Sequence, residues 1–201
     1  MTSATVVLRG PGRPRDARAD QAIVDATLDL LADGGVRGLS VEAVAARAGV
    51  GKATVYRRWP TKNALIVDAL AQLTDTKPPV LRGISIRDDL VTILESIRRR
   101  HTTTRAGRIL ARIVGDAPEQ SDLMSLYHRR VVDPRRARLR DLLAVAVQRG
   151  ELSPDTDLEL AVDLIVGPLM YRLLTRCGDQ GLPRDWCERA VDSLLSGLGS
   201  R

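Results

Sequence analysis

SVEAVAARAGVGKATVYRRWPTK, residues 40–62, reads as two short helices joined by a tight glycine turn. Ser40 is a natural N-cap, because its hydroxyl can accept from an unpaired helix N–H. Val41, Val44, Ala45 and Ala48 then recur at helical spacing. Gly49 stands where the chain leaves that helix, a place that favours positive φ. Val50 can fill the space between the helices. A second helix is predicted from about residue 51 to 59, and Pro60 prevents its smooth continuation. Two helices about a short turn, the second free to enter a major groove, form a helix-turn-helix. From Arg47 to Lys62 there are five basic residues and no acidic one, the sign that approach to phosphates requires.

Working outward, a first helix is predicted over about 16–33, with Ala22, Ile23, Ala26, Leu30 and Leu31 on one face and Gly34-Gly35 at its end. After the motif, a fourth helix runs over about 61–73, capped by Thr61 and carrying Leu65, Ile66, Ala69, Leu70 and Leu73 inward. Residues 74–86 contain Pro78-Pro79 and Gly83 and read as a linker. Five further helices follow, over about 87–102, 105–115, 120–149, 155–177 and 184–198. Pro134 should bend the third of these, and Gly167-Pro168 should kink the fourth. The fold expected is all-α with about nine helices. It divides into a flexible basic arm (1–17), a helix-turn-helix domain (18–63) and a helical domain for ligand binding and dimerisation (64–201).

The residues of the first third resemble the DNA-binding domain of TetR/AcrR-type transcriptional repressors. The resemblance rests on Ala22-Ile23-Val24-Asp25-Ala26, Leu30-Leu31, Gly34, Gly35, Leu39-Ser40-Val41, Val44-Ala45, Ala48-Gly49-Val50, Thr54-Val55-Tyr56-Arg57-Arg58-Trp59 and Lys62. Trp59, where the family more often has Phe, and Pro60 depart from its pattern. The resemblance implies base reading by Lys52, Ala53 and Arg57, and phosphate contacts from Thr54, Tyr56 and Lys62, with Arg58 suited to either. Arg reaches guanine acceptors bidentately, and hydroxyls and ammonium groups suit phosphate. Ser40 joins these candidates, as do Arg13 and Arg15 of the arm, since Arg is drawn into a narrow minor groove. The resemblance further implies a homodimer on a pseudo-palindromic operator, released by a small-molecule effector. Its final two helices would supply the subunit interface, here Ala161, Ile165, Leu169, Val191, Leu194 and Leu195. Helix-face spacing offers His101, Arg112, Tyr127 and Tyr171 as polar contacts in an effector cavity.

Composition agrees with this assignment. Of 201 residues, 44% are hydrophobic, enough for a core, while aromatics are 2% and Phe is absent, so aliphatic side chains must fill it. The net charge is +6, and residues 1–62 hold ten Lys/Arg against six Asp/Glu, so the excess lies with the helix-turn-helix. Two cysteines form neither a disulfide scaffold nor a metal-ligand spacing, and no cofactor is implied. No signal-like or membrane-length apolar run is present, so a cytoplasmic protein is expected. Gly51-Lys52-Ala53-Thr54 is not a phosphate loop: Ala46 stands where the first Gly is needed, and Ala53 where Ser or Thr must follow the Lys. No catalytic constellation emerges, so an enzyme is not expected. The competing functional class is a nonspecific, nucleoid-type DNA binder, which would show steep salt dependence without sequence preference.

Overall fold

A computed structural model describes residues 17–74, 79–101, 109, 113, 120–175 and 182–198. Among them every regular element is helical, as the periodicity predicts. Helix α1 (Ala17–Gly34) buries Ile23, Val24, Ala26, Leu28 and Leu31 on one face. Thr27 lies on that face too, and its hydroxyl donates to the Ile23 carbonyl at 2.8 Å, so the buried hydroxyl is paired. The chain turns after α1 with backbone so close that a Cβ on Gly38 would lie 2.9 Å from the Gly34 oxygen. Only glycine fits at that position.

Helices α2 (Val41–Arg47) and α3 (Lys52–Arg58) follow, then α4 (Lys62–Thr74). Ser40 caps α2 by accepting from the Ala43 N–H at 3.1 Å. Thr61 caps α4 by accepting from the Ala64 N–H at 3.1 Å. Gly49 turns between α2 and α3 at φ 66°, which a side chain would strain. Val41, Val44, Ala45, Val55 and Trp59 meet the inner faces of α1 and α4 in one apolar cluster. Leu65, Ile66, Ala69 and Leu70 of α4 belong to it, so a domain boundary at residue 63 would cut through this core.

Beyond the linker come α5 (Ile86–His101), α6 (Ser121–Tyr127), α7 (Asp133–Gln148), α8 (Leu158–Thr175) and α9 (Trp186–Leu198). A second cluster joins Leu90 and Leu94 of α5, Leu139 and Leu143 of α7, Ile165 and Leu169 of α8, and Cys187 and Val191 of α9. Ile109, Ile113, Leu123 and Val131 go the other way, into the cluster of α1 and α4. Apart from Ile109 and Ile113, both helical and buried, the helix expected over 105–115 lies outside the described residues.

The long helix expected over 120–149 is divided. Residues His128–Val132 form a π-helical turn between α6 and α7, with the Asp133 N–H bonded to the His128 carbonyl. Pro134 supplies the cause, since it has no N–H for the carbonyl four residues earlier and its ring presses on that carbonyl. Widening the preceding turn relieves the conflict. The Gly167-Pro168 pair, by contrast, does not end α8, which continues to Thr175. The carbonyl that loses a partner there is that of Leu164, an exposed residue, and water can serve it.

Residues 82–86, the end of the linker, are held by side chains. Asp89, 4% exposed, accepts from the N–H groups of Arg82 (3.1 Å) and Gly83 (3.3 Å). Glu151 accepts from the Ile86 N–H at 2.6 Å, tying the start of α5 to the turn after α7. Arg87 and Asp192 pair at 2.6 and 2.9 Å and join α5 to α9 across an exposed surface. That pair holds the Asp192 carboxyl below its usual value.

Candidate nucleic-acid interface

Helix α3 has one buried position, Val55, and its next contact with the core is Trp59. The opposite side is open: Lys52, Ala53, Tyr56 and Arg57 are exposed and Thr54 is half-buried. The indole N–H of Trp59 donates to Asp68 of α4 at 3.0 Å, which fixes the end of α3. Val55 and Trp59 are thus packing residues, and the Tyr56 ring lies on the surface at 42% exposure.

The cations of this face are in three states. Arg57 is exposed and has no carboxylate partner among the described residues. Lys52 forms an ion pair with Glu42 of α2, and its ammonium lies 5.6 Å from the centre of the Tyr56 ring. The pair raises the Lys52 pKa and lowers that of Glu42, the side-chain hydrogen bond being the chief cause of both. Arg58 turns back to Asp20 of α1 and keeps only 17% of its side chain exposed. That placement assigns Arg58 to the joint between α1 and α3 rather than to the open face.

Lys62 is half-buried and its ammonium donates to the Val36 carbonyl at 2.9 Å. An ammonium has three donors, so two remain for a phosphate. Ser40 is committed as a cap acceptor but retains its own O–H to donate. Arg13 and Arg15 lie outside the described residues. Glu42 and Asp20 have no helical spacing to the cations they hold. Sequence reasoning missed them because both partners come from other helices.

Of the four effector candidates, Tyr127 and Tyr171 have described side chains, and these two lie apart. Tyr127 is half-buried against the α1–α4 cluster, where burial raises its pKa. Tyr171 is 67% exposed on α8, in the other half of the protein. His101 ends α5 with its side chain outside the described residues, as is Arg112 entirely. The segments named for the shared pocket contribute buried residues to two apolar cores, and Tyr171 faces outward.

The dimer candidates are also redistributed. Ala161, Ile165, Leu169 and Val191 are buried inside the protomer, and Leu194 and Leu195 are half-buried. Buried residues have no surface left for a partner. The large apolar side chains that α8 leaves exposed are Leu160 (54%), Leu164 (42%) and Tyr171. These share one helix face with Gly167, where a Cβ would meet nothing within 4 Å.

Among the described residues no helix is long and apolar enough to cross a membrane, and no group of His, Cys, Asp or Glu could hold a metal ion. A capped helix-turn-helix with an open, cationic second helix defines a DNA-binding protein. Residues 23–69 match the family model of bacterial regulatory proteins of the tetR family, and residues 83–194 match the tetracyclin repressor-like C-terminal domain. The chain belongs to the TetR family of helix-turn-helix transcriptional regulators.

It is 38% identical over 164 residues to the uncharacterized HTH-type transcriptional regulator YdeS of Bacillus subtilis, covering 81% of this chain and 82% of that one. It is 29% identical over 177 residues to the DNA-binding transcriptional repressor TetR of Mycobacteroides abscessus, covering 87% and 90%. The crystal structure of the TetR family transcription regulator SCO0332 superposes with a TM-score of 0.69 at 31% identity, covering 91% of this chain and all of that one.

Proposed function

We propose that the protein is a homodimeric repressor that binds a pseudo-palindromic operator and leaves it when a small molecule binds the C-terminal domain. Arg57, exposed on α3 without a carboxylate partner among the described residues, carries the DNA-reading part of this proposal. An unpaired guanidinium can bond bidentately to guanine without first breaking an internal pair. Lys52, Ala53, Thr54 and Tyr56 border it on the same open helix. Lys62, Ser40 and the arm's Arg13 and Arg15 would add backbone contacts.

Dimerisation follows from specificity, because one such module reads too few base pairs and two-fold dimers read half-sites about 34–36 Å apart. The face bearing Leu160, Leu164, Gly167 and Tyr171 supports a subunit contact through α8. Leu194 and Leu195 of α9 are half-buried against the second cluster. Repression accords with the name of the Mycobacteroides relative.

Release by an effector needs a ligand that binds two conformations with different affinity. The two apolar clusters, linked by the π turn, are bodies whose relative position such a ligand could bias. The test is selection of duplexes from a random pool, followed by footprinting. Two protected half-sites related by a dyad are expected. Uniform binding to all duplexes, with steep salt dependence alone, would replace this reading with nonspecific DNA binding.

A further inference from the structure

We propose that Glu42 is a specificity-determining residue: its carboxylate on α2 holds the Lys52 ammonium at the start of α3 and keeps that cation from random phosphates. The inference rests on the DNA-binding reading above and adds a residue that does not itself read a base.

The placement of Lys52 is the first reason. It occupies the first turn of α3, whose N-terminal end carries the positive pole of the helix dipole, and no acidic residue of α3 offsets it. A free ammonium there is poorly placed for helix stability and well placed to meet any phosphate. Glu42, exposed in the first turn of α2, supplies the missing negative charge from across the Gly49 turn. The ammonium also lies beside the Tyr56 ring, 5.6 Å from its centre. Lys52 is thereby held at two points, a carboxylate and a ring face, both on the surface that must meet DNA.

The second reason is the contrast with Arg57. One turn further along α3, that guanidinium has no internal carboxylate among the described residues. A phosphate that takes the two remaining Lys52 donors must tolerate the like charge of Glu42 beside it, and one that takes all three must displace that carboxylate. An array of base-edge acceptors in the right register can take the ammonium while leaving the carboxylate in place. Glu42 therefore penalises the contact common to all DNA more than the contact particular to one site, which is how a repulsive element produces discrimination.

Glu42→Gln keeps shape and removes the charge. Its affinity for a random duplex should rise about fivefold at physiological salt, with the salt slope steeper by about 1, as expected for one added phosphate contact. Affinity for the duplex selected from a random pool by the wild-type protein should rise less, so the preference ratio falls. The same comparison in a Lys52→Met background should show no change in slope, because the freed cation is gone. Thermal melting of each variant confirms that it is folded.

A sequence-selective wild type whose ratio and slope are unchanged by Glu42→Gln would overturn this inference alone. So would an equal effect in the Lys52→Met background, which would make Glu42 a general repeller acting without Lys52. A wild type with no sequence preference would overturn the proposed function, and this inference with it.

Discussion

The indole N–H of Trp59 donates to the Asp68 carboxylate at 3.0 Å, and this bond joins the end of α3 to α4. Trp59 is also the C-cap of α3, its N–H bonded to the Val55 carbonyl at 2.9 Å. One side chain thus sets where α3 stops and how it lies on the domain core. Phe, commoner here in the TetR family, would keep the packing and lose the bond. Trp59→Phe should lower unfolding stability by about 1 kcal/mol, read by urea titration, because Asp68 loses its donor but is partly open to water. A stability gain would show that the bond does not contribute.

The two neighbouring arginines of α3 should separate cleanly. Arg57→Ala is expected to cost about 1–3 kcal/mol at the selected site and to relax preference at one base position. Arg58→Ala should instead lower stability by about 1 kcal/mol, since Asp20 loses the cation that half-buries with it. Its effect on random and selected duplexes should be equal. Exchanged behaviour of the two variants, measured by melting and by binding isotherms, would refute their assignments.

Residue 89 tests the linker. Its carboxylate is nearly fully buried and accepts from two backbone N–H groups. Asp89→Ala leaves both donors unpaired and should cost about 1–3 kcal/mol in unfolding free energy. Asp89→Asn retains one acceptor oxygen and should recover part of that loss. Equal stability of all three proteins would mean that water replaces the carboxylate without cost.

Cys187 provides a chemical and a pH test. Burial, with the Glu95 carboxylate beside it, pushes its thiol up to about 12. The folded protein therefore holds the thiol proton more tightly than the unfolded chain. The resulting stability is fully present below the ordinary thiol value of about 8.5 and is lost as pH rises toward 12. At pH 8.5 iodoacetamide should modify Cys187 more than about a hundredfold more slowly in the native protein than in urea. Peptide mapping distinguishes this cysteine from Cys177, and equal rates would contradict the burial.

The helix-turn-helix was legible in the sequence because each boundary has its own chemical mark. Ser40 and Thr61 act as caps, Gly49 as the turn and Pro60 as the stop, and the structure uses the first three in those roles. Pro134 announced a break, but only the backbone shows that the break is a π turn ahead of it. The outer face of α8 was illegible for a different reason. LELAVDLIVGPLMYRLLT is apolar nearly all round, so periodicity cannot say which stripe meets the core. Ion pairs such as Lys52–Glu42 and Arg58–Asp20 join separate helices and leave no local pattern to read.

That ambiguity in α8 gives the last prediction its discriminating power. Leu164 and Val191 are both aliphatic and both lie on the final helices, yet one is 42% exposed and the other 1%. A carboxylate at position 164 costs the isolated protomer little, because water can solvate it. It becomes costly only if that face is covered by a second copy, where an unpaired charge loses its hydration. Leu164→Glu should therefore yield a folded monomer with a near-normal helical spectrum and much weaker binding to a two-half-site duplex. Val191→Glu places the same charge inside the protomer and should unfold it, whatever the oligomeric state. Sedimentation equilibrium with circular dichroism reads both properties at once. A Leu164→Glu protein that remains dimeric would move the interface off this face of α8, and a folded Val191→Glu protein would contradict the packing of α9.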